Sequence, residues 1–194
     1  TGAVTLTATG GTLSVNETVT SAGAGTITLN ATGGTSDIAV AAGRAVSSTG
    51  GSVVLNADDD ITIADTGNVS TTGTGTITLT ANATDGNSTG AIQANQTNAT
   101  VRAGTGLVTL SAATGIAAKT TIANVTATNS TSGDIVIVDT ADGLTVSTGG
   151  VNQTGTGAVT LTATGGTLSV NETVTSAGNV GLRAAGTGAD IAIA

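Results

Sequence analysis

Acidic side chains bring this sequence closest to reactive chemistry. Asp58, Asp59 and Asp60 follow one another, with Asp65 nearby. Paired carboxylates beside a sugar can divide acid and base work between them, and clustered hard oxygen ligands suit calcium. Neither arrangement is complete. Neighbouring strand residues point to opposite faces, so the pleat splits the triplet, and the loop spacing of a calcium site is absent. The expectation for Asp58, Asp59, Asp60 and Asp65 is a solvated corner where carboxylates satisfy turn backbone. Calcium is the one cofactor they leave open. The chain has no His and no Cys, and Lys119 has no activating partner in its sequence neighbourhood, so nucleophilic catalysis is not expected. The sequence reads as a non-enzyme.

Asparagine offers a second chemistry. Of thirteen Asn, eleven begin N-x-[ST]: Asn16, Asn30, Asn68, Asn82, Asn87, Asn95, Asn98, Asn124, Asn129, Asn152 and Asn171. Ser and Thr make up 58 of the 194 residues, so chance would give about four such triplets. Turn corners that favour Asn in a Thr-rich chain account for part of the excess. The other part is read as glycosylation, which would solubilise a weakly charged molecule and implies an extracytoplasmic destination.

Composition limits what can hold these groups in place. There are 30 Gly, no Pro, Met, Trp, Tyr or Phe, and 8% charged residues. A core of large aromatic side chains cannot be built. Yet 38% of the residues are apolar, and the abundance of β-branched Val and Ile favours a pleated surface over disorder. The net charge of -8, with Arg44, Arg102, Lys119 and Arg183 the only bases, leaves neither a basic stripe nor an aromatic platform for nucleic acid. No apolar run approaches the ~20 residues of a membrane span.

The elements follow from a recurring phrase, Gly-x-[VI]-x-[LI]-x-Ala. It appears as Val4/Leu6/Ala8, Ile27/Leu29/Ala31, Val53/Leu55/Ala57, Ile77/Leu79/Ala81, Val108/Leu110/Ala112, Val159/Leu161/Ala163 and Val180/Leu182/Ala184, with Ile135/Ile137 starting an eighth in which Asp139 replaces Ala. A shorter alternating phrase follows each, such as Leu13/Val15 or Ile61/Ile63, and then a single Val such as Val19 or Val69. Strict alternation marks half-buried strands.

Three short strands per period and no helical segment predict an all-β fold: a parallel β-solenoid of about 7.5 coils, roughly 25 residues each, spanning 1–194 as one segment. No single coil buries enough to fold alone, so each must stack on neighbours. Neither end carries a polar cap, which predicts that the native chain continues or that copies stack end to end.

"TGAVTLTATGGTLSVNETVTSAG" fills residues 1–23 and recurs unchanged at 156–178. The spacing of 155 residues reads as a six-coil super-repeat (1–155) that restarts at 156–194. If the eight first phrases share one face, their outward pairs are Thr5/Thr7, Thr28/Asn30, Val54/Asn56, Thr78/Thr80, Thr109/Ser111, Val136/Val138, Thr160/Thr162 and Gly181/Arg183. A regular Thr rank on a solenoid face can order water and bind ice. Only three of these eight pairs are Thr-x-Thr, so the rank is broken, and Thr ladders supporting strand pairing are the expected role.

The phrases "GTGTITLTA" (73–81), "GSVVLNADDDITIAD" (51–65) and "GTITLNATGGTSDIAVAAG" (25–43) resemble the shaft repeats of filamentous-haemagglutinin-like adhesins and other two-partner-secretion exoproteins. The resemblance spans nearly the whole chain and implies a right-handed β-helix displayed at the cell surface. The N-terminal secretion domain of that family is not among these residues. The functional expectation is a non-enzymatic, glycosylated shaft segment of an extracellular fibre or giant surface adhesin, whose partners are adjacent repeats or other copies of itself. The alternative is a binding module that recognises cell-surface glycans or neighbouring fibres through the 82–100 loop or the acidic 58–65 patch.

Overall fold

The computed structural model describes residues 2–82, 88–98, 100–141 and 143–194. All regular structure among them is β, and there is no helix. Four turns repeat a long strand and two short ones: β1 (Val4–Thr9), β2 (Leu13–Val15), β3 (Val19–Ser21); β4 (Ile27–Thr32), β5 (Ile38–Val40), β6 (Ala45–Ser48); β7 (Val53–Ala57), β8 (Ile61–Ile63), β9 (Asn68–Thr71); β10 (Ile77–Ala81), β11 (Ile92–Ala94), β12 (Thr100–Arg102). The middle is built differently, from β13 (Leu107–Ala112), β14 (Ile116–Thr121), β15 (Asn124–Asn129) and β16 (Ile135–Asp139). The remainder is β17 (Gly143–Gln153), β18 (Val159–Ala163), β19 (Thr167–Val170), β20 (Val174–Thr175), β21 (Val180–Ala184) and β22 (Ile191–Ile193).

The strands pair in parallel throughout. One sheet runs β1-β4-β7-β10-β13-β15-β17-β19-β22, and the other gathers the short strands through β14 before continuing β14-β16-β18-β21. The result is a β-solenoid of about 8 turns with a period of ~24 residues, close to the sequence-based count. Its interior is chiefly a ladder of Val, Ile, Leu and Ala, joined by a few buried polar side chains such as Ser48, Thr71, Asn129 and Asp139. Ile27, Leu29, Ala31, Val53, Leu55, Ala57, Ile77 and Leu79 are completely buried. Alternation places these residues inward while Thr28, Val54 and Thr78 face out, as the period of two requires. An interior this narrow suits small branched side chains, which explains the missing aromatics.

The phrases do not stay on one face. In the first four turns, the two short strands are separated by corner residues such as the Ala-Ala-Gly of 41–43 or the Asp-Thr-Gly of 65–67. At 116–121 the sequence is IAAKTT, with no Gly, Asn or Asp to break it. The strand therefore runs straight: the first half of β14 pairs with β11, while Thr120 and Thr121 pair with Val101 and Arg102 of β12. One corner is lost. Val125 of β15 then lies beside Val108 after only 17 residues.

The corner returns within β17. Its residues 147–150 form a bulge against β15, so that Val146 pairs with Val125 and Val151 with Ala127. The left-handed backbone of Gly149 (φ 105°) and Gly150 (φ 70°) permits this turn. After β14 the long phrases lie on the opposite sheet: Ile135 stacks on Ile116, Val159 on Ile135, and Val180 on Val159. The expectation of one six-coil super-repeat is corrected accordingly. Val4 and Val159 hold the same place in identical 23-residue segments, yet they lie six and a half turns apart on different sheets.

Candidate functional site

Two polar systems, the carboxylates and the amides, are the candidates for chemistry, and several members of each are bound into the backbone of neighbouring turns. Residues 58–60 form the corner between β7 and β8. Asp58 is buried, and its Oδ2 accepts the Gly33 N–H of the preceding turn at 2.6 Å. Asp60 faces the other way, its Oδ1 accepting the Ala91 N–H of the following turn at 2.7 Å. Asp60 in turn donates its own N–H to Asp37 Oδ1 at 3.1 Å, and Asp134 repeats the pattern with Ala158 N–H at 2.8 Å. Asp37, Asp60 and Asp134 stand at the entry to the second sheet, just before Ile38, Ile61 and Ile135, with Ala91 and Gly115 on the rungs between Asp60 and Asp134. Asp65 is exposed at the next corner and accepts from Asn98 N–H at 2.7 Å.

Asp58, Asp60 and Asp65 therefore turn to different partners. Among the described residues no group of three or more His, Cys, Asp or Glu stands where it could hold a metal. Burial pushes the Asp60 carboxyl above its ordinary value; Asp59 and Asp37 add to the rise, and the Ala91 N–H opposes it. Lys119 reaches the carbonyl oxygen of Thr97, which makes it a tie between turns.

Asp139 is the polar group that sequence reasoning passed over as a mere replacement for Ala. It occupies an inward position and is completely buried. Oδ1 accepts Thr120 Oγ1–H at 2.8 Å and Ile122 N–H at 3.0 Å, and Oδ2 accepts Ala141 N–H at 2.9 Å. This carboxylate holds the shortened corner at Ile122, where the phase of the solenoid changes. Burial raises its carboxyl above the usual range against the pull of those donors. The available signal was its position: an acid on the inward beat of an alternating strand must be serving buried backbone.

The sequon asparagines divide by environment. Asn16, Asn95, Asn98 and Asn171 are exposed, all at corners between short strands or following one. Asn30, Asn124 and Asn152 are half-buried and bonded: Asn30 Oδ1 accepts Asn56 Nδ2–H at 3.0 Å, Asn124 Nδ2 donates to Thr105 O at 3.0 Å, and Asn152 Nδ2 donates to Gly149 O at 2.6 Å. Asn68 and Asn82 are half-buried. Asn129 is completely buried; Oδ1 accepts Gly115 N–H at 2.9 Å while Nδ2 donates to Ser132 O at 2.7 Å and Gly133 O at 3.1 Å. Its amide nitrogen has no room for a sugar in the folded chain. Asn87 lies outside the described residues, as do 83–86 and 99 of the 82–100 stretch, whose centre is the strand β11.

These features define a parallel β-solenoid repeat protein whose polar side chains chiefly join one turn to the next. No family model, no curated protein and no solved structure matches the chain.

Proposed function

We propose that this chain is a non-enzymatic structural segment, a stretch of the shaft of an extracellular fibre or large surface adhesin, decorated with sugar at its exposed corner asparagines. The observation that carries the reading is the use of the reactive groups. Asp37, Asp58, Asp60, Asp134 and Asp139 all accept backbone N–H groups across turns or at corners. A molecule that commits its carboxylates to joining rungs is organised for length. The exact recurrence of a 23-residue segment supports growth by duplication, and the resemblance to adhesin shaft repeats points the same way.

Electron microscopy of the native polypeptide from its source tests this. The expected object is an unbranched rod whose length rises by about 4.8 Å for every turn of the repeat, with a denatured mass many times 18.0 kDa. A compact particle of 18.0 kDa, found inside cells, would contradict it.

A further inference from the structure

The change of phase alters the membership of the outward rank on the first sheet, adding one Thr pair and removing three pairs that include the charged Arg183. Val136/Val138, Thr160/Thr162 and Gly181/Arg183 belong to the second sheet. Their place beside Thr109/Ser111 is taken by Thr126/Thr128 of β15. Six consecutive rungs of the first sheet then present, in register, Thr5/Thr7, Thr28/Asn30, Val54/Asn56, Thr78/Thr80, Thr109/Ser111 and Thr126/Thr128. Eight of these twelve positions are Thr, and none is charged. The opposite face carries Lys119 and Arg183 in the corresponding columns.

The hydroxyls on this face are largely left to solvent. Inward hydroxyls are claimed by backbone, as with Ser48 Oγ to Gly25 O at 2.7 Å and Thr71 Oγ1 to Gly51 O at 2.6 Å. Thr126 donates to Gly150 O at 2.8 Å under the β17 bulge. Thr5, Thr7, Thr28, Thr78, Thr80, Thr109 and Ser111 direct their hydroxyls to no acceptor among the described residues; they form a two-dimensional array set by backbone geometry. Its repeats are about 4.8 Å between rungs and about 6.7 Å along each strand, the latter being two residues. β-Branched Thr and Val hold few rotamers, so hydroxyl and methyl positions are fixed before any ligand arrives. A hydrogen bond from Asn56 Nδ2 to Asn30 Oδ1 orients the two amides that stand between Thr7 and Thr80 in the second column.

From this array we infer that the outward face of the first sheet binds crystalline water. Planes of ice repeat on these same two length scales, and a surface of regularly placed hydroxyls and methyls without charge matches an ordered water layer. A charged face would instead hold its own disordered hydration shell. Each hydroxyl contributes little, and the rank acts as one multivalent contact.

The matching Thr-x-Thr pairs of ITLTA at 77–81 and VTLTA at 159–163, on different sheets, supply the control. The purified chain is placed at a slowly growing ice surface, and its partition into ice and its arrest of crystal growth are measured. The wild-type chain should be enriched in the ice. Thr78→Lys/Thr80→Lys should reduce the partition about tenfold or more, because it interrupts the middle of the multivalent array. Thr160→Lys/Thr162→Lys, on the other sheet, should leave it unchanged. Circular dichroism checks that both variants keep their β content; should the 78/80 variant fail to fold, Thr109→Lys takes its place. Exclusion of the wild-type chain from ice would overturn the inference, as would equal behaviour of the two variants. So would a dimer in sedimentation, lost in Thr78→Lys/Thr80→Lys, from a chain that ice excludes, since that result assigns the face to a second copy.

Discussion

Val125 lies in register beside Val108 on the first sheet, while Val136 lies in register beside Ala117 on the second. This pair of relationships sets the architecture of the second half of the chain. Because β14 passes two columns without a corner, every later long phrase is carried half a turn around the axis. The second 23-residue copy therefore keeps its internal contacts while changing its neighbours. Ser21 Oγ donates to Gly2 O at 2.9 Å in one copy and Ser176 Oγ to Gly157 O at 2.7 Å in the other, although the two copies open on different sheets.

Close stacking of turns makes certain glycines irreplaceable. A Cβ on Gly51 would collide with the carbonyl oxygen of Gly25 one turn away. Gly51→Ala is expected to cost about 3 kcal/mol by forcing adjacent rungs apart. Gly73 differs: its φ is 64°, but a methyl group there would meet nothing within 4 Å. Gly73→Ala should cost about 1–2 kcal/mol through backbone strain alone. Denaturant midpoints of the two variants, compared with the wild type, check the difference.

Burial separates sequon asparagines that look alike in sequence. Asn129→Ala removes an amide that serves Gly115 N–H, Ser132 O and Gly133 O inside the solenoid. Leaving such groups unpaired costs about 1–3 kcal/mol each, so a loss of about 3 kcal/mol or more is expected. Asn95→Ala, at an exposed corner, should change stability by less than about 0.5 kcal/mol. In a secretory host, glycopeptide mapping of the folded product should find sugar at Asn16, Asn95, Asn98 or Asn171 and none at Asn129.

The buried acid at the phase change predicts how stability depends on pH. The carboxyl of Asp139 is raised above its ordinary value of 3.8, so the folded state holds this proton more tightly than the unfolded chain. Its contribution is fully present below 3.8 and is lost as pH rises through the higher folded value. Asp60, raised for the same principal reason, adds a smaller effect of the same sign at its partly exposed corner. The thermal midpoint should therefore fall as pH rises from the acid side through the carboxylate range. Asp139→Asn, which cannot ionise, should flatten most of that slope in thermal melts across pH.

Much of the fold was legible because alternation has a physical cause. Inward residues such as Ile27, Leu55 and Leu110 declared themselves by the period of two, and all are buried. The sheet to which each phrase belongs was not legible in the same way. Ile135/Ile137 reads identically whether it stacks on Val108 or on Ile116, since both offer the same inward apolar pattern. Only the unbroken IAAKTT run carried the phase, through corner residues it lacks. The acidic cluster was legible as turn chemistry in that Asp58, Asp60 and Asp65 accept backbone N–H groups, but the expected solvated corner is corrected at Asp58, which is buried. The clamps at Asn129 and Asp139 were hidden, because their partners come from corners and turns whose neighbours depend on that same phase.

Engineered cysteine pairs test the phase change most directly, since the chain has no cysteine of its own. Ala117→Cys/Val136→Cys joins outward positions on adjacent rungs, about 4.8 Å apart and within disulfide reach. Thr109→Cys/Val136→Cys joins positions on different sheets. Under mild oxidation at low protein concentration, a disulfide should form within the chain for the 117/136 pair and none for the 109/136 pair. A disulfide in the 109/136 pair alone would contradict the phase change, by showing that the long phrases stay in one column around the whole solenoid.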